Sequence, residues 1–595
     1  MVRQGLIVAA ALCFASPVVA LERLDFDVKG AAPEVVQALR GTSLLVAAQA
    51  AGETNPQDLL TAARADYGQL LGALYAKGYY SGVIRISLDG REVADLSPLE
   101  APVSVGVISV RIETGPEFAF GKANVAPLAG GTALPPGFAP GKVAASGVIS
   151  GAAAAAVTGW RAVGHARAAI AGQDITADHR NATLSADLRV SPGPKLRFGK
   201  LTATGQQRMD TARLLKIAGL PEGKTYSPDE LEAAADRLRR TGVFRSVALV
   251  EDAVVTGPDL LGVTAKVVEE KTRRFGAGAE IASSEGAKVS GYWLHRNLLG
   301  GAERLRVEAS VAQIGAQNSG IDYALSTTLE RPATFSRDTT ASLTFQLKQV
   351  NEKDYAQRSG LIGFGLSHFF SKKLTARVGT EFAFYDVTFD SKNTIFRNLS
   401  APLGLTWDNR NSKTDATGGV YLDAGLSPFY GFGTTDSGVR LNLDARAYRG
   451  FGADDKFTLA ARVQAKAVLG ASLSGVPSEY LVYSGGGGTV RGQPYQSLGF
   501  AYGSTTLATG GTGFLGASLE LRAKVTKNIG VVGFADFGQI ASDGLIGGQT
   551  KSHGGAGIGL RYATGLGPIR FDLTAPVSGS TGKGVQIYIG IGQAF

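Results

Sequence analysis

The chain of 595 residues contains one cysteine, Cys13, near its start. With a single thiol it forms no intramolecular disulfide, and zinc sites built from several thiolates are excluded as well. Only 19% of the residues are charged, and the 60 Lys and Arg against 51 Asp and Glu are spread thinly. Dense basic runs, which are typical of nucleic-acid-binding proteins, are missing, so no nucleic-acid partner is expected.

Long apolar runs are also missing after the first twenty residues. One uncharged stretch, 143–160, consists mainly of Ala, Gly and Ser, and its alanines recur at helical spacing. A membrane-spanning helix needs about 20 predominantly apolar residues, so this stretch predicts a soluble helix. Glycine, in contrast, accounts for 80 of the 595 residues, roughly twice the usual share and too many for a soluble α-helical enzyme.

Motifs that carry catalytic chemistry are scarce. The five histidines are scattered, with no i,i+4 pair for zinc, and no G-x-S-x-G motif supplies a serine nucleophile. The segment 579–584 ends like a phosphate-binding loop, but Val577 occupies the position of its first glycine, and the segment is better interpreted as a turn before the last strand. We therefore expect no catalytic residues, no metal and no other cofactor, and the protein is not predicted to be an enzyme.

The first twenty residues have the order of a secretory signal peptide. Arg3 gives the charged start, 6–14 form an apolar core, and Pro17 precedes small residues up to Ala20. The alternative, a membrane anchor, is disfavoured because the apolar core is too short to span a bilayer. We expect cleavage after Ala20 and an exported mature protein that is periplasmic, secreted or inserted in an outer membrane.

A turn motif recurs three times in the first half of the chain. Gly78, Gly164 and Gly242 each follow a helical pattern and precede a strand-like one, at spacings of about 80 residues, which indicates repeated units. In the third unit, Ser227 and Glu230 form a capping box around Pro228 and predict a helix over 229–240. Each unit is predicted to be α+β, with two helices on a small sheet. The expected bounds of the units are 21–105, 106–194 and 195–271.

From about residue 273 the hydrophobic period changes from helical to two. The segments 305–311, 439–447 and 457–465 alternate apolar residues with polar or small ones. This pattern is expected when one face of a strand meets lipid and the other a wet lumen; the alternative, a soluble sandwich, does not require strands this long. Eleven candidate strands precede residue 471 and five follow residue 510, which predicts a 16-stranded antiparallel transmembrane β-barrel over 272–595.

Three segments carry a resemblance to a known family. After the glycine run 485–488 comes Val490-Arg491-Gly492, and the strand-like segments 514–522 and 533–538 follow it. They are similar to the V-R-G-[YF] tip of the long sixth loop and to the twelfth and thirteenth strands of the BamA/TamA superfamily of outer-membrane assembly barrels. In that superfamily, periplasmic POTRA repeats precede a 16-stranded barrel. Here Gln493 stands in place of the aromatic residue, and Tyr495 follows two residues later.

The resemblance implies that Arg491 and Gly492 lock the loop inside the barrel against Glu520 and Asp536. Alternation directs Glu520 toward the lumen, whereas the lumenal facing of Asp536 is implied mainly by the resemblance. An arginine in a low-dielectric lumen requires fixed carboxylates as bidentate acceptors.

The two ends of the barrel segment are the expected closing point. Glycine weakens a strand interior, so paired glycines in the first and last strands predict a lateral seam, formed by Gly276, Gly278, Gly590 and Gly592. Phe595 follows the alternating apolar face of 585–591 and resembles the aromatic sorting signal of outer-membrane barrels.

Three repeats resemble the TamA-like members of the superfamily, whereas five suggest a BamA-like barrel assembly protein and two with a plug helix suggest a two-partner secretion transporter. The implied function is the insertion and folding of outer-membrane proteins such as autotransporters, by β-strand templating at the lateral seam. The implied partners are the outer-membrane lipid bilayer, unfolded outer-membrane protein clients and, through the POTRA repeats, a TamB-like protein anchored in the inner membrane. The expected location is the outer membrane, with the repeats in the periplasm.

The alternatives are a two-partner secretion pore, a BamA-like barrel and an enzyme with a titratable cluster at the barrel rim.

Overall fold

The computed structural model describes residues 23–97, 102–282, 286–316, 319–501, 508–565 and 567–595. The predicted signal peptide, residues 1–20, lies outside the described residues. The chain divides into two compact units: the first includes the residues up to 200 with 221–230 and 252–262, and the second includes 201–220, 231–251 and 263–595.

Six α-helices, one short 3₁₀ helix (Val93–Asp95) and ten strands are described before the barrel. The helices are α1 (Pro33–Thr42), α2 (Leu44–Ala50), α3 (Pro56–Ala76), α4 (Ser146–Ala162), α5 (Thr211–Ala218) and α6 (Pro228–Arg240). The strands are β1 (Arg23–Lys29), β2 (Val83–Leu88), β3 (Arg91–Glu92), β4 (Val107–Glu113), β5 (Ala119–Ala126), β6 (Ala169–Asp178), β7 (Thr183–Ser191), β8 (Arg197–Thr204), β9 (Phe244–Thr256) and β10 (Leu260–Glu269). Among the described residues, no helix combines the length and the hydropathy that crossing a bilayer requires.

The first repeat is a four-stranded sheet, ordered β1-β4-β2-β3, with α1, α2 and α3. Strand β1 pairs in parallel with β4, and β2 pairs with β4 in antiparallel fashion. Because β4 is an inner strand of this sheet, the repeat extends to Glu113, beyond the predicted boundary at residue 105. The core contains fully buried Leu39, Leu60 and Ile86.

The second and third repeats are three-stranded sheets, ordered β5-β7-β6 and β8-β10-β9. The third repeat has the two predicted helices, α5 and α6, and α6 begins at Pro228 as expected. In the second repeat α4 is the one described helix, so the prediction of two helices is wrong there. The segment 127–145 contains four prolines and four glycines, which disfavour helix and leave turns in its place.

The barrel closes through antiparallel strands that begin at Arg273, as the change of period predicted. Its strands are β11 (Arg273–Ala282), β12 (Gly286–His295), β13 (Arg304–Ile314), β14 (Asp322–Arg331), β15 (Thr339–Asn351), β16 (Tyr355–Ser371), β17 (Leu374–Phe389), β18 (Lys392–Ser400), β19 (Leu403–Asp408), β20 (Gly418–Phe432), β21 (Gly438–Phe451), β22 (Phe457–Leu469), β25 (Gly513–Lys524), β26 (Ile529–Asp543), β27 (Gly547–Tyr562), β28 (Ile569–Ser578) and β29 (Gln586–Ile591). Two short strands, β23 (Phe500–Ala501) and β24 (Ala508–Thr509), pair outside the barrel wall.

Strands β18 and β19 are two halves of one barrel strand, because both lie between β17 and β20. Pro402 lies at the break, and proline has no N–H for the ladder. The barrel is therefore 16-stranded, as predicted. The apolar residues of the alternating segments face outward: Leu459 and Val463 are 43% and 49% exposed, while Ala460 is buried.

Candidate functional site

The twelfth and thirteenth barrel strands, β25 and β26, carry the two predicted carboxylates on their inner face. In the β25–β26 ladder Glu520 lies opposite Phe534, and Asp536 lies opposite Ser518. Glu520 and Asp536 are both buried, whereas Leu519 is exposed on the outer face. The period-2 alternation of the strands therefore fixes both carboxylates on the inside of the barrel wall.

The structure brings Arg491 together with both carboxylates. Its Nε donates to Asp536 Oδ2 at 2.7 Å and its Nη2 to Asp536 Oδ1 at 2.9 Å, a bidentate arrangement. Its Nη1 donates to Glu520 Oε1 at 2.7 Å, and its backbone N–H donates to Asp536 Oδ2 at 3.1 Å. The guanidinium carbon lies 3.6 Å from the ring centroid of Phe534. The Nε, Nη1, Nη2 and backbone N–H groups of Arg491 thus all donate to the two carboxylates of the barrel wall.

Three further residues complete the charge cluster, and the sequence reasoning missed all of them. Arg522 donates from Nε to Glu520 Oε2 at 2.9 Å, and Arg561 donates from Nη1 to Asp572 Oδ1 at 2.5 Å. Asp572 Oδ2 lies 3.6 Å from Arg491 Nη1. Three carboxylates therefore face three guanidinium groups, and all six side chains are buried. The signal that could have found Asp572 is a charged residue between apolar Phe571 and Leu573 on an alternating strand.

Two glycines allow the loop tip to lie directly on the wall. Gly492 has φ of +90°, and a Cβ at this position would lie 2.6 Å from the carbonyl oxygen of Ala575 on β28. On β27, a Cβ at Gly555 would lie 1.8 Å from the carbonyl oxygen of Arg491. The loop backbone and the strand backbone therefore touch at positions where only glycine fits.

Gln493, which replaces the aromatic residue of the family motif, is fully buried. Its Nε2 donates to the carbonyl oxygens of Gly554 at 2.6 Å and Ser578 at 3.0 Å, and its Oε1 accepts from Thr581 Oγ1 at 2.9 Å. The side chain thus links the loop tip to β27, to β28 and to the turn between β28 and β29. Tyr495 does not take over this position, since it is 36% exposed.

The first and last barrel strands meet along part of their length. Among the described residues, β11 pairs with β29 through Ile281–Ile589 and Ala282–Tyr588, whereas all ten residues of β11 pair with β12. Within the described residues, 273–280 of β11 have no ladder partner on the β29 side. Eight of the ten residues of β11 therefore present an unpaired strand edge on that side.

The predicted seam glycines lie near this junction but outside its two residue pairs. Gly276 makes room for a neighbour, since a Cβ there would lie 2.2 Å from the ring of Tyr292 on β12. Gly278 lies opposite Ser290, also on β12. Gly590 lies opposite Arg570 on β28, and Gly592 follows the end of β29 with φ of +91°. In the register of these two pairs, Gly590 and Ile591 would lie opposite Glu280 and Ala279, but in the described part of the chain they pair with β28 alone, so pairing with β11 stops before β29 ends.

Phe595 does not continue the outward face of β29 that the sequence indicated. The strand ends at Ile591, and Phe595 is 8% exposed in a cluster with Ala416, Tyr448 and Ala460. The positive φ of Gly592 turns the chain before Phe595, so the alternation of facing along the strand no longer applies.

Residues 297–595 match the Omp85 superfamily domain, and residues 196–270 match the surface antigen variable number repeat, the POTRA domain. BamA from Haemophilus ducreyi lacking POTRA domains 1–3 aligns with a TM-score of 0.63 and 16% identity, over 80% of this chain and 100% of that chain. CdiB from Acinetobacter baumannii aligns with a TM-score of 0.52 and 13% identity, over 80% of this chain and 90% of that chain.

At these identities the two solved structures support the fold alone. The Omp85 domain match covers half of the chain and includes the loop tip, both lumenal carboxylates and the last strand of the barrel. Proteins of this kind reside in the outer membrane with their POTRA domains in the periplasm. The chain therefore belongs to the Omp85 superfamily of outer-membrane β-barrels, which serve in protein assembly and transport.

Proposed function

We propose that the protein inserts and folds other outer-membrane proteins, such as autotransporters, in the manner of TamA-like members of the superfamily. The observation that carries the proposal is the edge of β11 over 273–280, which pairs with β12 but not with β29 among the described residues. A client strand must satisfy its backbone N–H and C=O groups before it enters lipid, and an unpaired strand edge supplies the missing partners. Residues 273–280 of β11 are that edge in this proposal.

The loop tip favours this function over the rival one, a two-partner secretion pore that passes its client through the lumen. Arg491 is held inside the barrel by two carboxylates, and Gln493 ties the tip to two further strands. Breaking a buried, hydrogen-bonded charge pair costs about 3–5 kcal/mol, so moving the tip aside to open a conduit is costly. A seam route leaves these contacts in place.

We propose that an inner-membrane-anchored partner of the TamB-like kind binds to the edges of the POTRA sheets. Strand β6 is the edge of the second sheet and β9 is an edge of the third. Ile175 on β6 is 43% exposed and Val254 on β9 is 76% exposed. Edge strands with exposed apolar residues are templates for added strands, so an extended β-rich partner fits them. The three sheets that the structure describes before the barrel support a TamA-like assignment over a BamA-like one, which would have five.

Site-specific photo-cross-linking tests the proposed route. A photoreactive residue at Ala277, on the unpaired edge of β11, should cross-link to an unfolded autotransporter barrel during its insertion into proteoliposomes. The matched control is Ala341 on the complete β14–β15 ladder, and Thr344 on β15 reports on the lumen. Cross-links at Ala277 alone support the seam. Cross-links at Thr344 without any at Ala277 would contradict it and support passage through the lumen.

A further inference from the structure

A basic cavity lies where the third POTRA repeat meets the first barrel hairpin. It has a volume of about 580 Å³ and is lined by Arg208, Lys271, Thr272, Arg273, His295 and Asn297. We call these six residues the hairpin-base site. No carboxylate is among the lining residues, and within the described residues its three cationic side chains take part in no ion pair. The Glu269 carboxylate attracts Arg208 without forming a salt bridge and is not part of the lining, so the cavity keeps a net positive charge that attracts an anion.

The backbone that carries these side chains is fixed by hydrogen bonds. Glu269 Oε1 accepts from the backbone N–H groups of 207–209 at 2.8 to 2.9 Å, which holds the turn that presents Arg208. Asn297 Nδ2 donates to the carbonyl oxygen of Arg208 at 3.2 Å, and Arg296 Nη1 donates to the carbonyl oxygen of Lys271 at 2.6 Å. A cavity whose frame is already fixed binds a ligand with a smaller entropy cost.

The site lies at the base of the lipid-facing surface. Arg273 pairs with His295 in the β11–β12 ladder, and two residues further along Phe275 pairs with Trp293. Because side chains alternate along a strand, these four residues share one face, and Phe275 is 74% exposed on it. The ring of Trp293 lies edge-on to that of His295, with centroids 6.2 Å apart. The basic residue Arg273 thus lies on the same face as the apolar, aromatic pair Phe275 and Trp293, two residues along the strand.

We propose that the hairpin-base site binds the phosphate of an anionic phospholipid headgroup, with an acyl chain against Phe275 and Trp293. Basic residues at a membrane surface attract anionic lipid, and aromatic residues mark the level of the headgroups. His295 supplies a further polar group, since its Nδ1 has no hydrogen-bond partner within the described residues. A free phosphate ion would use the same cations but would leave the exposed ring of Phe275 without a role. Lipid binding at this site is a property separate from the proposed function and does not depend on it.

The test measures lipid retained by the full-length protein in detergent, after delipidation, by native mass spectrometry. The probes are phosphatidylglycerol, phosphatidylcholine and inorganic phosphate. The site variant is Arg208→Gln with Lys271→Gln and Arg273→Gln. The matched control replaces three exposed lysines of the opposite barrel end, in Lys353→Gln with Lys392→Gln and Lys583→Gln. Heat-modifiable migration shows that each barrel is folded.

We expect wild type and control to retain phosphatidylglycerol in preference to phosphatidylcholine, and the site variant to bind it about tenfold more weakly or less. Phe275→Ser should weaken lipid binding but leave the binding of inorganic phosphate unchanged. If the triple variant does not fold, Lys271→Gln alone should still lower retention. Equal retention by the variants and wild type would overturn the proposal. Equal competition by inorganic phosphate and lipid at matched concentration would assign the site to a free anion and overturn the lipid assignment.

Discussion

Arg522 joins Phe595 to the loop tip: its Nη2 donates to the carbonyl oxygen of Phe595 at 3.1 Å, while its Nε donates to Glu520. Glu520 also accepts from Arg491. One buried carboxylate is therefore shared between the loop tip and the segment that follows the last barrel strand. Because these groups share partners, a substitution in the segment after the last strand should affect the stability of the loop tip, and a substitution in the loop tip should affect that segment.

The first prediction concerns the contact of Arg491 with Glu520 and Asp536. Arg491→Ala leaves Glu520 and Asp536 buried without their shared cation, which should lower stability by about 3–5 kcal/mol and release the loop tip. The measurements are the thermal midpoint of the barrel and the protease sensitivity of loop 470–512. The control is Arg377→Ala, which removes a half-exposed lumenal arginine paired with Asp423 and should cost about 1 kcal/mol or less. Equal behaviour of the two variants would show that Arg491 is an ordinary solvated residue.

The second prediction uses the close approach of two backbones. Gly555→Ala places a methyl group where the carbonyl oxygen of Arg491 lies, so the loop tip must move away from β27. Loop proteolysis should rise, as is also expected for Arg491→Ala. Gly533→Ala on the neighbouring strand is the matched control, because nothing lies within 4 Å of its Cβ position. A loop that stays protected in Gly555→Ala would mean that the tip does not rest on β27.

The third prediction concerns Phe595, which is expected to act as a sorting signal. Removing it, or replacing it in Phe595→Ala, should lower the yield of assembled, heat-modifiable protein in the outer membrane. The replacement also empties the lumenal cluster around Tyr448, so the folded fraction should be less stable. Phe595→Trp retains an aromatic group and should keep more of the yield. Unchanged yield in Phe595→Ala would count against the sorting role.

The fourth prediction is a pH dependence in the third POTRA repeat. Burial acts to raise the pKa of Glu269, but three backbone N–H donors hold the pKa below its usual value. A carboxyl with a depressed folded pKa stabilises the fold above its unfolded pKa of about 4.3, and this contribution is lost as the pH falls through the folded pKa.

Amide hydrogen exchange of Gln207, Arg208 and Met209 measures this contribution locally. Relative to wild type, Glu269→Gln should speed their exchange at neutral pH, and the difference should shrink as the pH falls below about 4. Glu222→Gln, at an exposed position, is the control and should change nothing. A difference that is independent of pH would show that the carboxylate charge is not what holds the turn.

Much of the fold could be predicted from local patterns. The switch to period two near Arg273, the sixteen alternating segments and the helix at Pro228 follow from side-chain facing and capping, and the structure contains each of them. The position of β4 in the first sheet was not predictable in this way, because a parallel pairing with β1 across three helices leaves no periodic signal between them.

The site was predictable only where a motif marked it. Arg491, Glu520 and Asp536 are adjacent in the structure, but Arg522, Arg561 and Asp572 look like ordinary polar positions of alternating strands. Which residues they pair with depends on how the barrel closes and on the path of a long loop. The spacing of residues in the sequence gives neither. Phe595 was misplaced for a similar reason, since a single positive φ at Gly592 overrides the alternation that precedes it.

The most direct measurement is the rate of client insertion with the seam closed covalently. Ile281→Cys with Ile589→Cys joins the paired residues of β11 and β29, and Leu519→Cys with Ala535→Cys joins a pair in the β25–β26 ladder as the control. Cys13, within the predicted signal peptide, is the one native thiol of the chain. We predict that oxidation of the seam pair blocks insertion, that reduction restores it, and that the control pair has no effect. Normal insertion by the oxidised, folded seam variant would contradict the account and place the client route elsewhere.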